Sequence, residues 1–259
     1  MKWDELKNKK IGLWGMGREG LATQQALKKH VPLAKIIEIT EENVSDIFDC
    51  QVIIKSPGVC LYRPEIEQAK KQGILFTSGT NLFMANHNPK TKVICVTGTK
   101  GKSTTCALLA HTLKSYGLKV GLGGNIGVPL ITFVDEDLDV IVAETSSYQC
   151  ADFIGTPDIG VLMALYSAHL PWHGTLARYH ADKMNMINQA KEKVDIRANS
   201  ITIQDDFFFD NKPLFSVKSL PLFGEHNQKN ACVVLRVLQI LGLDLVKAES
   251  AFQTFTPLK

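Results

Sequence analysis

The chain has 259 residues, 45% hydrophobic and 21% charged, with mean hydropathy near zero and a net charge of +3. That is enough chain for one large or two ordinary domains with ample core, and too mild a charge to argue for nucleic acid. No apolar stretch reaches the length of a membrane span, the start MKWDELKNKK lacks an apolar signal-peptide core, and six cysteines without Cys-x-x-Cys spacing read as buried thiols of a reducing compartment. A soluble, cytoplasmic, monomeric protein is expected.

Lys10–Trp14 reads as a first strand, followed by Gly15-Met16-Gly17-Arg18-Glu19-Gly20 and a helix from Leu21 to Lys29. This is a GxGxxG turn in strand–turn–helix context, suited to a nucleotide diphosphate. A second strand, Lys35–Ile39, brings Glu38 to where a dinucleotide site holds a ribose hydroxyl. Taken alone, this suggests a nicotinamide dehydrogenase, or a tight turn that binds nothing. Gln51–Lys55 is a further strand ending in Ser56-Pro57-Gly58, either a ligand-facing turn at a strand's carboxyl end or a plain Pro-Gly turn. Pro64–Lys71 is a helix with proline in its first turn and Gly73 as its stop, and Ile74–Phe76 is another strand. Strands alternating with helices predict a doubly wound parallel sheet. The polar link Asn86–Lys90 sets a domain boundary, giving residues 1–90 and 91–259.

The most informative stretch is Lys92–Tyr116. The apolar strand Val93–Val96 turns into Gly98-Thr99-Lys100-Gly101-Lys102-Ser103-Thr104 and opens directly into a helix, stopped at Tyr116-Gly117. In such a loop, backbone N–H groups converge on phosphate at the helix N-terminus, a lysine reaches the terminal phosphates and a hydroxyl is free for Mg²⁺. GxxxxGK[ST] requires glycine where this chain has Val96; counted from Gly98, the loop is two residues short. A second glycine-rich loop, Gly121–Gly127, contains Asn125, and the buried strand Val140–Ala143 releases Glu144 at its end, where P-loop NTPases keep a metal-holding carboxylate. An apolar strand Ile159–Leu165 leads to His169 and Trp172-His173-Gly174, then a helix from Leu176 to Ala190. On that helix Tyr179, Lys183 and Ile187 share one face, which points Lys183 inward or toward a site. Phe207–Val217 reads as a β-hairpin turning at Asp210-Asn211. A last helix ends at Leu241, and near its start Asn227 and Asn230 can face an adenine edge, or Asn227 can cap the helix.

In order and spacing, the phosphate loop, Gly124-Asn125-Ile126-Gly127, Glu144-Thr145-Ser146-Ser147-Tyr148-Gln149, His169, Lys183 and His226-Asn227 with Asn230 resemble the Mur ligase family. The branch resembled joins D-glutamate to UDP-N-acetylmuramoyl-L-alanine in peptidoglycan synthesis. The resemblance implies a Rossmann-like first domain and a P-loop-type central ATPase domain, with the family's third domain lying beyond Lys259. It implies ATP and Mg²⁺ as cofactors and phosphorylation of the alanyl carboxylate before the amine attacks. Gly98 to Thr104, Asn227 and Asn230 would bind ATP, with Lys102 catalytic. Ser103, Glu144, His169 and a carbamylated Lys183 would hold metal. Gly17, Arg18, Ser56 and Gly58 would receive the UDP end, and Asn125, Ser146 and Gln149 would orient the substrate. Ala168 and Pro171 stand where the family commonly has acids. Competing readings are another Mur-type ligase adding L-alanine, a substrate-binding fragment without turnover, and a nicotinamide oxidoreductase.

Overall fold

Continuous apolar runs such as Val52–Ile54, Val93–Val96 and Val140–Ala143 can be satisfied only where a strand is covered on both faces, as in parallel sheets. The computed structural model, which describes residues 1–198 and 201–256, has two such sheets. The first contains β1 (Lys10–Trp14), β2 (Lys35–Ile39), β3 (Val52–Lys55) and β4 (Leu75–Thr77), all parallel, in the order β2-β1-β3-β4. Helices α1 (Arg18–His30) and α2 (Pro64–Lys71) cross between its strands, and α3 (Gly79–Asn86) follows it. The strand order reverses between β1 and β3, which opens a crevice at their carboxyl ends.

The second sheet contains β5 (Lys92–Thr97), β6 (Val120–Gly124), β7 (Val140–Glu144), β8 (Ile159–Leu162) and β9 (Glu192–Asp195), in the order β6-β7-β5-β8-β9. Its helices are α4 (Lys102–Ser115), the short α5 (Ser147–Ala151) and α6 (Leu170–His173), and α7 (Leu176–Gln189). Central strands β5 and β7 pair in parallel with Val96 beside Glu144, so the phosphate-type loop and the acid emerge side by side. A three-stranded antiparallel sheet, β10 (Ile201–Ile203), β11 (Asp206–Phe209) and β12 (Lys212–Ser216), precedes α8 (Glu225–Ile240) and α9 (Ala248–Gln253).

The two parallel sheets share an apolar cluster in which Leu82, Phe83 and Met84 pack with Ile131, Ala143, Phe153 and Met186. A buried ion pair also joins them, Lys55 Nζ to Asp152 Oδ2 at 3.0 Å. Glycine placement follows close approach. At Gly20 a Cβ would lie 2.1 Å from the Gly15 carbonyl oxygen, so α1 can pack against its own strand only through glycine. At Gly17 a Cβ would meet nothing within 4 Å, leaving the backbone open to the crevice.

Several expected boundaries move. Helix α1 begins at Arg18 rather than Leu21, because Gly17 caps it and Leu21 N–H bonds the Gly17 carbonyl. Strand β8 ends at Leu162 rather than Leu165: Met163 N–H still bonds the Thr97 carbonyl, but Ala164 accepts from Thr99 and so backs the loop. Strand β4 is displaced by one residue, to Leu75–Thr77. The hairpin turns at Asp210-Asn211 as expected, both with positive φ (51° and 59°), and it gains β10 as a third strand. Residues 257–259, the end of the expected second domain, lie outside the described residues.

Candidate active site

The loop after β5 is shaped by two glycines that no other residue could replace without strain. Gly98 has φ of 143°, and a Cβ there would sit 2.6 Å from that of Met163. Gly101 caps α4 in the left-handed region (φ 89°), and a Cβ there would lie 2.8 Å from Asn230 Oδ1. Lys102 is the first residue of α4, and its ammonium donates back to the Thr99 carbonyl at 3.3 Å. Thr99 faces inward, its hydroxyl 2.7 Å from that of Tyr179, whereas Lys100 is exposed with its ammonium over the Tyr166 ring. Thr104 is half-buried in the first turn of α4.

Beneath the loop, Glu144 is only 1% exposed. Ser103 Oγ donates to its Oε2 at 2.6 Å, and Asn125 Nδ2 donates to its Oε1 at 2.7 Å. Hydroxyl and buried carboxylate together are hard oxygen donors, the kind with which Mg²⁺ completes its shell alongside phosphate and water, while the helix N-terminus favours the phosphate itself. These residues therefore fit that ion. Among the described residues no group of three or more His, Cys, Asp or Glu could hold a metal.

Lys183, 2% exposed, donates to the Gly98 carbonyl at 2.9 Å and lies 3.4 Å from Thr97 Oγ1. Burial lowers its pKa to about 8, with the Lys102 charge adding to the effect. As an amine it is a donor, not a metal ligand. His169 makes its hydrogen bond elsewhere: it caps α6 with φ of 53°, and its Nδ1 meets the Tyr148 hydroxyl at 2.9 Å rather than Glu144 or Lys183.

All seven expected substrate residues, Gly17, Arg18, Ser56, Gly58, Asn125, Ser146 and Gln149, line one cavity of about 410 Å³ at the β1/β3 crevice. Arg18 spans the two sheets, donating to the Asn125 and Gly127 carbonyls at 3.0 and 2.9 Å. Ser146 and Gln149 form a reciprocal capping box on α5, which leaves Gln149 Nε2 to donate to Glu19 at 3.1 Å. Glu38 is exposed and accepts from Gln24.

A second cavity, about 550 Å³, opens beside the loop and is lined by Lys100, Gly101, Tyr166, His226, Lys229 and Asn230. Asn227 does not line it; its amide donates to the Phe223 carbonyl and its oxygen accepts from Asn230.

Sequence reading missed a buried chain of polar groups. His173, fully buried, meets Asp182 Oδ2 at 2.5 Å through Nδ1 and Ser147 Oγ at 2.9 Å through Nε2, while the Tyr62 hydroxyl donates to Asp182 Oδ1. Burial lowers the His173 pKa, so the neutral ring can donate to the carboxylate and accept from the serine. This chain ties the turn after His169 to the helix carrying Lys183 and to α5. The only local signal was position: Asp182 precedes Lys183, and His173 follows Trp172.

The Mur ligase middle domain matches residues 96–218, which include the loop, Glu144, His169 and Lys183. A UDP-N-acetylmuramoyl-L-alanine–L-glutamate ligase from Xanthomonas campestris pv. campestris (strain 8004) is 33% identical over all of this chain and 66% of its own length. The chain belongs to the Mur ligase family. A ligase of the same name from Micromonospora sp. is also 33% identical, over 97% of the chain and 65% of its own length. The chain thus spans about two thirds of the length of these Mur ligases. Solved Mur ligases share the fold. One is the UDP-N-acetylmuramate:L-alanyl-gamma-D-glutamyl-meso-diaminopimelate ligase from Neisseria meningitides (TM-score 0.58, 18% identity, 97% of this chain and 99% of that one). Another is MurF from Thermotoga maritima in complex with ADP (TM-score 0.53, 15% identity, 99% and 65%). Among the described residues no helix is long and apolar enough to cross a membrane.

Proposed function

We propose that this chain is the substrate- and ATP-binding part of a ligase that joins glutamate to UDP-N-acetylmuramoyl-L-alanine. ATP phosphorylates the alanyl carboxylate, releasing ADP; the glutamate amine then attacks the acyl carbon, loses a proton, and phosphate departs as the amide forms. The observation that carries this reading is Asn125, which lines the 410 Å³ cavity and also donates to Glu144, itself bonded to Ser103. One side chain therefore connects the place for a sugar nucleotide to the place for ATP phosphates.

In this reading Gly17, Arg18, Ser56 and Gly58 receive the UDP end, and Asn125, Ser146 and Gln149 turn the alanyl carboxylate toward the loop. Lys102 and the loop N–H groups spread the charge of the transferring phosphoryl group. A Mg²⁺ ion held by Ser103 and Glu144 would neutralise phosphate oxygens. Lys183, once carbamylated, would present an oxyanion toward a second ion with His169. Gly98, Thr99, Lys100, Gly101 and Thr104 frame the phosphates, and Asn230, with Asn227 behind it, borders the adenine. Residues 1–90 and 91–259 form the two domains of a cytoplasmic monomer.

The resemblance implied D-glutamate, whereas the relatives are named for L-glutamate; the proposal therefore takes glutamate as acceptor, the L form being the one those names carry. Calorimetry tests the reading. The chain should bind UDP-N-acetylmuramoyl-L-alanine at least about 100-fold more tightly than NADH, a difference of about 2.7 kcal/mol. Tight NADH binding without UDP-sugar binding would return the first sheet to the oxidoreductase reading.

A further inference from the structure

Glu19 is out of character for its position. It lies in the first turn of α1, one residue after Arg18, and lines the same cavity as Gly15, Gly17 and Ser56. A diphosphate at this turn is held against the helix N-terminus, so a carboxylate here would confront a second anion in a half-buried crevice. Two such charges cannot both be kept at close range away from water.

The surroundings do not resolve the conflict by pairing Glu19 with a cation. On its own helix, Arg18 spends two guanidinium N–H groups on the Asn125 and Gly127 carbonyls. From the β3 side, Lys55 borders the small polar space that Glu19 also lines, but its ammonium is paired with Asp152. From α5 the contact is the neutral Gln149 amide, and Ser78 and Thr80 at the start of α3 are neutral too.

We propose that Glu19 meets the diphosphate of a UDP-sugar as a carboxylic acid, donating its proton to a phosphate oxygen, so that ligand binding takes up a proton from solvent. Atoms and charge balance: the ligand keeps both negative charges, the carboxylate gains H⁺ from buffer, and no covalent bond to the ligand forms. The inference rests on the UDP-sugar reading of the cavity. It makes Glu19 a binding residue that senses charge, and predicts that an uncharged isostere of the diphosphate would lose the effect.

In the free chain, burial raises the Glu19 pKa to about 7, against the opposing influence of Arg18 and the Gln149 hydrogen bond. The diphosphate of a UDP-sugar is esterified at both ends and does not itself titrate near neutrality, which makes it a cleaner probe than UDP. Calorimetry with UDP-N-acetylmuramoyl-L-alanine in buffers of different ionisation enthalpy should read uptake of about 0.5 proton per ligand at pH 7 and about 0.9 at pH 8, for a carboxyl fully protonated in the complex. Affinity should fall about five- to sixfold between pH 7 and pH 8, because the free state must first regain its proton. Glu19→Gln should abolish both the uptake and this pH dependence. The wild-type buffer comparison stands without the variant. Binding with no proton uptake at pH 8, or the same uptake in Glu19→Gln, would overturn the inference. No binding of the UDP-sugar at any pH would instead overturn the reading beneath it.

Discussion

Lys102→Ala is expected to weaken Mg-ATP binding by about 100-fold or more, while Lys100→Ala changes it only a few-fold. The two lysines flank the same glycine, yet their positions differ in kind. Lys102 opens α4 and folds back over the loop to the Thr99 carbonyl, where phosphate oxygens compete directly for its N–H groups. Lys100 is exposed and lies above the Tyr166 ring. A charge-assisted hydrogen bond contributes about 1.5–3 kcal/mol, so losing one or two accounts for about 100-fold. Calorimetric titration of both variants checks this. Equal affinities for wild type and Lys102→Ala would remove the loop from the ATP site.

Lys183 should carry a carbamate in the presence of bicarbonate, and Lys183→Ala should abolish it. Carbamylation needs an unprotonated amine. With its pKa lowered to about 8 by burial, about a tenth of Lys183 is neutral at pH 7 and about nine tenths at pH 9. An unperturbed lysine would be neutral in only about one molecule in 2,500 at pH 7. The sign of the pH response follows: carbamate formation at fixed dissolved carbon dioxide rises with pH through this window. Nuclear magnetic resonance with ¹³C-labelled bicarbonate should show a carbamate carbon in the wild type and none in the alanine variant. An amine left unmodified at saturating bicarbonate would take Lys183 out of any metal shell.

Much of this site could be read in the sequence because its parts carry strong local chemistry. Glycines 98 and 101 stand where the backbone needs a positive φ, and Lys102-Ser103 follows them into a helix, so strand, loop and helix all agreed. The inward direction of Lys183 was legible from its i, i+4 partners Tyr179 and Ile187, all three buried. What local pattern could not reveal is what happens across the chain. The Ser147–His173–Asp182–Tyr62 series joins residues 26, 9 and 120 positions apart, and no periodicity reports such contacts. His169 illustrates the converse: it was singled out by resemblance, and its observed partner, Tyr148, was unforeseen. Glu19 was passed over because GxGxxG directs attention to its glycines. Strands β10 and β4 shifted or escaped because three-residue segments carry too few alternating positions to register.

The central claim is that the cavity and the loop serve one reaction, with the alanyl end of the ligand turned toward the ATP phosphates. Paramagnetic relaxation with Mn²⁺ replacing Mg²⁺ on a non-hydrolysable ATP analogue measures that arrangement without requiring turnover. The alanyl methyl protons of bound UDP-N-acetylmuramoyl-L-alanine should relax much faster than the uracil ring protons, and Lys102→Ala should erase the effect. Stronger relaxation of the uracil protons, or none at either end while both ligands are bound, would contradict it.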